Sequence, residues 1–494
     1  MRKQGILLPI SSIPSKYGIG TFGQESYRFV DFLKRAGQSF WQILPLGPVG
    51  FGASPYQSFS TFAGNPYYID PERLCEEGLL TKEECEAFDF GKTVDKIDYK
   101  KMDKNRLKLL KLAWERAVEK HVDETKEYRQ FVEENADWLE DYALYMSLKN
   151  VFPDQDFLQW EDGIRLRKPK AMEQYKERYS KDMAFYTFVQ YEFDKQWQAL
   201  KKYANDGGIE IIGDIPIYVA FDSADTWANP KLFCLDKEGR PVGVAGCPPD
   251  AYAATGQLWG NPLYDWKYHK KTGFAWWVRR LAHCYKWYDV VRIDHFRGFD
   301  EYWFVPYGDE TAQNGHWEKG PGFDFFAAVQ KKLGDRQMIA EDLGFLTEDV
   351  KKLLEQTGFP GMKVLQFAFG SGEQNIYLPH NYTENCVVYT GTHDNDTTMG
   401  WLKTIPSYEK EYLKKYLNAK TDKDLLWGMI RLALSSVAKV AVIPMQDYLC
   451  LDGKARINTP STVGNNWKWR MKQDMLTDEL ADQIRELTQI YGRL

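Results

Sequence analysis

Eight short apolar segments punctuate this 494-residue chain: 5–11, 40–46, 208–217, 289–294, 337–341, 361–369, 386–391 and 438–445. Runs such as Val387-Val388 and Val440-Ala-Val-Ile443 are too short for buried helices, and they are apolar at consecutive positions. They read as strands buried on both faces. Most are separated by stretches with helical spacing. Residues 24–36 carry Phe29, Phe32, Leu33 and Ala36 on one face, with Gly37 as a stop. Further helices are expected at 273–287, 322–334, 347–357, 407–417 and 422–437. Eight strands with helical crossovers match an α/β (β/α)8 TIM barrel, with a doubly wound open sheet as the alternative.

Three of these strands run into acid: Val290-Val-Arg-Ile-Asp294, Met338-Ile-Ala-Glu341, and 386–391 followed by Thr392-His-Asp394. Barrel active sites collect at strand C-terminal ends, so this pattern favours the barrel. Two interruptions are expected. Residues 71–206 are rich in Glu, Lys, Leu, Tyr and Trp, and predict a mainly helical insertion with helices near 81–87, 103–120, 124–149 and 169–206. The catalytic barrel then comprises 1–70 and 207–494. Two long segments, 47–68 and 220–272, read as irregular active-site loops, and loops of that length are usually functional.

Their aromatic residues suit sugar rings, which stack an apolar face and hydrogen-bond at the edge. The net charge of −6 is spread with both signs interspersed, which excludes a basic nucleic-acid face. Seven scattered cysteines without CxxC spacing argue against a disulfide framework or a thiolate zinc site. No apolar run of about 18 residues predicts a membrane span. The basic N-terminus lacks a signal-peptide pattern. A cytoplasmic protein is the expectation.

Asp294, Glu341 and Asp394 are the candidate catalytic groups. Retaining glycosidases need two carboxyls about 5–5.5 Å apart, one as nucleophile and one as acid/base. Arg292 shares a strand face with Asp294 and should hold it ionised, which suits a nucleophile. Glu341 lies among apolar neighbours, where desolvation should keep its proton. Asp394 would then steady the developing charge or bind hydroxyls, and His295 and His393 could donate to a sugar. Asp342 reads instead as a helix cap or ion-pair partner.

Other chemistries fit less well. His295, His393, Asp394 and Asp396 are metal-ligand types without HxxxH or HxH spacing. No GxSxG elbow presents a serine. Gly18-Ile-Gly-Thr-Phe-Gly23 matches GxGxxG, but it lies several residues past its strand, and no acidic residue ends the second strand. Its glycines read as loop chemistry. An ion-pair network without chemistry remains a reading of the acids alone.

The motifs Val291-Arg-Ile-Asp-His-Phe-Arg-Gly298, Ile339-Ala-Glu-Asp-Leu-Gly344 and Thr392-His-Asp-Asn-Asp396 resemble the catalytic regions of the α-amylase superfamily. Ser54-Pro-Tyr-Gln-Ser58, Gly213-Asp-Ile-Pro-Ile217, Gly246-Cys-Pro-Pro-Asp250, Thr255-Gly-Gln-Leu-Trp-Gly-Asn-Pro262, Arg456-Ile-Asn-Thr-Pro460 and Asn465-Asn-Trp467 narrow it. The whole chain resembles the 4-α-glucanotransferases (amylomaltase or disproportionating enzyme) of glycoside hydrolase family 77. The resemblance implies Asp294 as nucleophile, Glu341 as acid/base and Asp394 as transition-state stabiliser. It implies Arg292, His295 and His393 as contacts in subsite −1. Around the cleft it implies Tyr56, Asp214, Asp250, Tyr252, Gln257, Trp259 and Asn458 as sugar contacts. It implies no metal and no organic cofactor. The implied partners are α-1,4-glucans and maltooligosaccharides, with glucose as acceptor. An α-glucan hydrolase of the same superfamily and a non-catalytic glucan-binding barrel are the competing functions.

Overall fold

The computed structural model describes residues 2–249, 253–344 and 346–494. Its strands are β1 (Lys3–Leu7), β2 (Phe40–Gln42), β3 (Glu210–Pro216), β4 (Gly243–Cys247), β5 (Gln257–Pro262), β6 (Val290–Asp294), β7 (Glu301–Pro306), β8 (His316–Lys319), β9 (Met338–Ala340), β10 (Gly361–Val364), β11 (Cys386–Tyr389) and β12 (Val440–Pro444). Eight close into a barrel, β1-β12-β11-β10-β9-β6-β3-β2, with every neighbouring pair parallel. These are the eight expected strands. Because β1 pairs with both β2 and β12, the open-sheet alternative is excluded.

The strands are shorter than the apolar runs. β1 stops at Leu7, since Pro9 has no N–H to give and a tight turn follows at Ile10–Ser12. β10 stops at Val364 and turns at Leu365–Phe367. An apolar run marks burial, and the turn after a barrel strand is buried too. Inside the barrel, polar side chains pair with one another: Tyr389 donates to Gln42 Oε1 at 2.9 Å, and Gln4 Nε2 donates to the Tyr448 hydroxyl at 2.6 Å.

The surrounding helices are amphipathic. Gln24–Arg35 buries Phe29, Val30, Phe32 and Leu33, with Glu25 in its first turn and Lys34 and Arg35 in its last, as the helix dipole favours. A helix outside the expected set, Asp478–Ile490, packs on it, and Arg35 bridges to Asp478 and Asp482 at 2.5 and 2.7 Å.

Between β2 and β3 the regular elements are helical, with isolated bridges of Val49 to Ser58 and of Lys96 to Trp469. The stretch expected as one helix at 124–149 is two, Lys126–Glu134 and Leu139–Val151. Asn135 sits in the break, donating to the Phe131 carbonyl at 2.8 Å and accepting from Trp138 Nε1 at 3.0 Å. The stretch 169–206 likewise divides at Tyr179. Its second helix, Ser180–Asp206, lies against Gln24–Arg35 and β3, and so fills the place of the crossover helix.

The segment 220–272 is less irregular than expected. It contains β4 and β5, which join β7 and β8 in an antiparallel sheet ordered β5-β4-β7-β8. β4 is Gly-Val-Ala-Gly-Cys and β5 is Gln-Leu-Trp-Gly-Asn-Pro. Glycine, asparagine and proline are poor strand formers, so tertiary pairing overrides local preference there. No helix among the described residues is long and apolar enough to cross a membrane.

Candidate active site

The register of β6 on β9 aligns Ile293 with Ala340, so Glu341 emerges beside Asp294 at the C-terminal end of the barrel. The Glu341 N–H donates to the Ile293 carbonyl at 3.0 Å. After Asp294 the backbone turns sharply, with His295 in the left-handed region at φ 54°. That turn aims the His295 N–H at Glu341 Oε2, 2.7 Å away, and the Leu343 N–H holds Oε1 at 2.9 Å.

Arg292 serves two carboxylates. Its Nη1 lies 2.7 and 2.6 Å from the two Asp214 oxygens, and its Nη2 donates to Asp294 Oδ1 at 3.0 Å. The Arg292 and Asp214 side chains are 3% and 0% exposed, while Asp294 is 31% exposed and faces the open end. Burial disfavours the Arg292 charge, but Asp214 and Asp294 outweigh it and hold the guanidinium protonated. Burial pushes Asp294 up to about 6, against the pull of Arg292 and with Asp214 adding to the rise. This corrects the expectation that Arg292 lowers the Asp294 pKa: burial outweighs the arginine, whose charge is also shared with Asp214. Burial, and then the Asp294 charge, push Glu341 up to about 8. The order of the two protons is therefore the expected one.

Asp394 follows β11 on the loop after Tyr389. Asn458 Nδ2 donates to its Oδ1 at 2.6 Å, and Arg456 donates to its carbonyl at 2.8 Å. His393 Nε2 lies 3.5 Å from Asp394 Oδ2 and 2.8 Å from the Tyr56 hydroxyl. The Tyr56 and His393 rings stack at 5.3 Å, and Tyr56 donates to Asp214 Oδ2 at 2.8 Å. A continuous polar chain thus runs Asp294–Arg292–Asp214–Tyr56–His393–Asp394.

On the other side, β5 supplies Gln257 and Trp259. Trp259 Nε1 donates to Gln257 Oε1 at 3.1 Å, and the indole meets the His295 ring edge-on at 4.8 Å. Burial lowers His295 to about 4, so the ring is neutral, and its buried Nε2 has no partner among the described residues.

The structure thus gathers Tyr56, Gln257, Trp259, Arg292, Asp294, His295, Glu341, His393, Asp394 and Asn458 around the strand ends. One expected role changes. Asp214 is fully enclosed with both oxygens engaged, so it supports Arg292 and Tyr56 from behind instead of touching a sugar. The Asn458 amide is engaged by Asp394. Asp250 and Tyr252 lie outside the described residues. Asp342 neither caps a helix nor pairs with a cation; it is 5% exposed and accepts the Met362 N–H at 2.7 Å. Sequence reasoning missed Tyr218, Arg456 and Trp467. Tyr218 lies 6.3 Å from the Trp259 ring, and Trp467 lies 5.8 Å from the Tyr56 ring. Arg456 and Trp467 belong to motifs already singled out, which was the available signal.

Alternative sites carry less. A cavity of about 440 Å³ opens at the opposite end of the barrel, over Phe40, Ile212, Val290, Met338 and Val440, and Asp335 is the only acid among the described residues that line it. In the GxGxxG stretch, a Cβ on Gly20 would fall 1.8 Å from the Ile10 carbonyl oxygen, so close packing explains that glycine. Among the described residues no three His, Cys, Asp or Glu side chains converge to hold a metal.

Comparison with known proteins places this geometry. The family model described as 4-alpha-glucanotransferase (Glyco_hydro_77) matches residues 8–477. A 4-alpha-glucanotransferase of Clostridium butyricum is 51% identical over 486 residues, 98% of this chain and 99% of that one. One from Thermus thermophilus is 44% identical over 501 residues, covering 100% of this chain and 99% of its own. The solved amylomaltase from Streptococcus agalactiae in complex with acarbose superposes with a TM-score of 0.96 at 41% identity, covering 100% of both chains. By family model, full-length identity and fold together, this chain belongs to the 4-α-glucanotransferases of glycoside hydrolase family 77.

Proposed function

We propose that this 4-α-glucanotransferase moves segments of α-1,4-glucan to the 4-OH of glucose or a maltooligosaccharide by double displacement. Asp294 attacks the anomeric carbon while Glu341 protonates the departing glycosidic oxygen, leaving a glycosyl ester on Asp294. Glu341, now ionised, takes the proton of the acceptor 4-OH as that oxygen displaces Asp294, which retains the anomeric configuration. Asp394 steadies the oxocarbenium-like charge, with Asn458 and His393 orienting it. His295 Nε2, unpartnered among the described residues, serves sugar recognition with Gln257, Trp259 and Tyr56, and Asp250 and Tyr252 are assigned to the same task by resemblance.

The observation that carries this reading is the proton order across two adjacent strand ends. Glu341 holds its proton to about 8 and Asp294 only to about 6, so one acid and one nucleophile coexist near neutrality. A cytoplasmic location accords with seven scattered cysteines.

Maltotriose tests it. Transfer yields glucose plus a ladder of longer maltooligosaccharides with little rise in total reducing ends. Reducing ends that grow with every cleavage would mean a hydrolase, and no change at all would mean a binding protein. Asp294→Asn should lose activity by roughly 10⁴-fold or more with the fold intact; retained turnover would remove Asp294 from the nucleophile role.

A further inference from the structure

The helical insertion reaches the site by a route that avoids the paired carboxylates. Its segment Asp95–Tyr99 runs beside residues 467–470. The Ile97 N–H donates to the Lys468 carbonyl at 2.8 Å, and the Arg470 N–H donates to the Asp95 carbonyl at 2.9 Å. The Arg470 guanidinium, itself buried, donates to the Ser15 and Thr93 carbonyls at 2.8 Å each. The Tyr99 hydroxyl donates to the Trp467 carbonyl at 2.9 Å.

Trp467 is held at φ 64°, a left-handed conformation unfavourable for a bulky side chain. Such strain persists only where the surroundings over-determine it. Here Tyr99 grips its carbonyl, and its own N–H donates to the Ile457 carbonyl at 2.7 Å. The turn lays the indole, 8% exposed, against both rings of the Tyr56–His393 stack, at 5.8 and 6.1 Å. The bonded residue, Ile457, directly precedes Asn458, whose amide holds Asp394 Oδ1 and whose N–H donates to the His393 carbonyl at 3.1 Å.

We propose that Trp467 is a positioning residue for His393 and Asp394, and that the insertion segment Asp95–Tyr99 sets its place. The insertion is then part of the catalytic scaffold. The proposal rests on the reading of Asp394 as a transition-state stabiliser, so its effect falls on turnover more than on substrate binding.

The test is maltotriose kinetics on the full chain. Trp467→Ala lowers kcat by roughly 10- to 100-fold, the scale of a displacement of about 1 Å, while KM changes little. Trp467→Phe recovers most of the loss, and Tyr99→Phe, which deletes one hydroxyl, costs several-fold in kcat. Combined with Asn458→Ala, Trp467→Ala loses less than the product of the two single effects, because both act through Asp394. Unchanged kcat in Trp467→Ala, multiplicative losses in the double variant, or a loss in Trp467→Ala that Phe does not rescue overturns the proposal. Should Trp467→Ala fail to fold, Trp467→Phe and Tyr99→Phe decide alone: wild-type kcat in Tyr99→Phe overturns it. Ladder formation by the wild type is run alongside. Its absence overturns the glucan-transfer reading, whereas a wild-type ladder with unaltered variants overturns only the positioning role.

Discussion

The backbone N–H of His295 donates to Glu341 Oε2 at 2.7 Å. The residue after the proposed nucleophile therefore grips the proposed acid. Main-chain N–H groups hold Glu341, through a strand pairing and a left-handed turn, while the buried Arg292 guanidinium holds Asp294. This rigidity suits catalysis, since charges set in advance need no reorganisation during reaction.

His295→Asn separates the two parts that His295 plays. Asparagine tolerates the left-handed turn, so the N–H keeps its hold on Glu341. The imidazole contact is lost. The expected result is a fall in kcat/KM of roughly 10-fold, the worth of a hydrogen bond of about 1.4 kcal/mol, with pH limbs unmoved. Limbs that shift by a unit would mean that the imidazole tunes the carboxyls.

Activity needs Asp294 ionised and Glu341 protonated. With Asp294 at about 6 and Glu341 at about 8, kcat/KM should rise as pH climbs through the first value and fall through the second. Rates across pH 5 to 9 on a short maltooligosaccharide check this. A profile still rising at pH 9 would contradict the role of Glu341 as acid.

Asp214→Asn tests the shared arginine. Asp214 raises Asp294 by like charge and also competes for Arg292. Removing its charge frees the guanidinium for Asp294, so the acid limb of the profile moves to lower pH. Stability falls by about 3 kcal/mol, because a buried ion pair has lost one partner. Denaturant titration and the pH profile together decide; an acid limb that moves upward refutes the arrangement.

Glu341→Gln should stabilise the fold in a pH-dependent way. The folded state raises Glu341 from 4.5 to about 8, so folding takes up a proton between those values. For a raised folded value, the wild-type contribution is fully present below the unfolded value and is lost as pH rises through the folded one. Glutamine has no such dependence. Melting temperatures of variant and wild type should coincide near pH 4 and diverge toward pH 8 in favour of the variant. A constant difference across that range would show that burial does not hold the proton on Glu341.

Several elements were legible in advance for definable reasons. Barrel strands are buried on both faces, so Val290-Val291 and Val440-Ala-Val-Ile443 stand out as apolar runs. Asp294, Glu341 and Asp394 stood out because charge at the end of such a run is costly unless it has a use. β4 and β5 did not stand out, since segments with Gly, Asn and Pro become strands here only by tertiary pairing, β5 with β4 and β4 with β7. The helix Asp478–Ile490 carries its own signal, a Thr477 cap ahead of Ala481, Ile484 and Leu487 at helical spacing.

The sequence by itself determined the barrel, the acidic trio and the family, because periodicity and motif are local properties of the chain. Only the tertiary structure decided what buries each acid and how the Arg292 charge is divided. The burial of Asp214, the division of Arg292 between two carboxylates and the approach of Tyr99 to Trp467 join residues up to 368 positions apart. Desolvation and charge sharing depend on distance in space, and no local pattern along the chain encodes them.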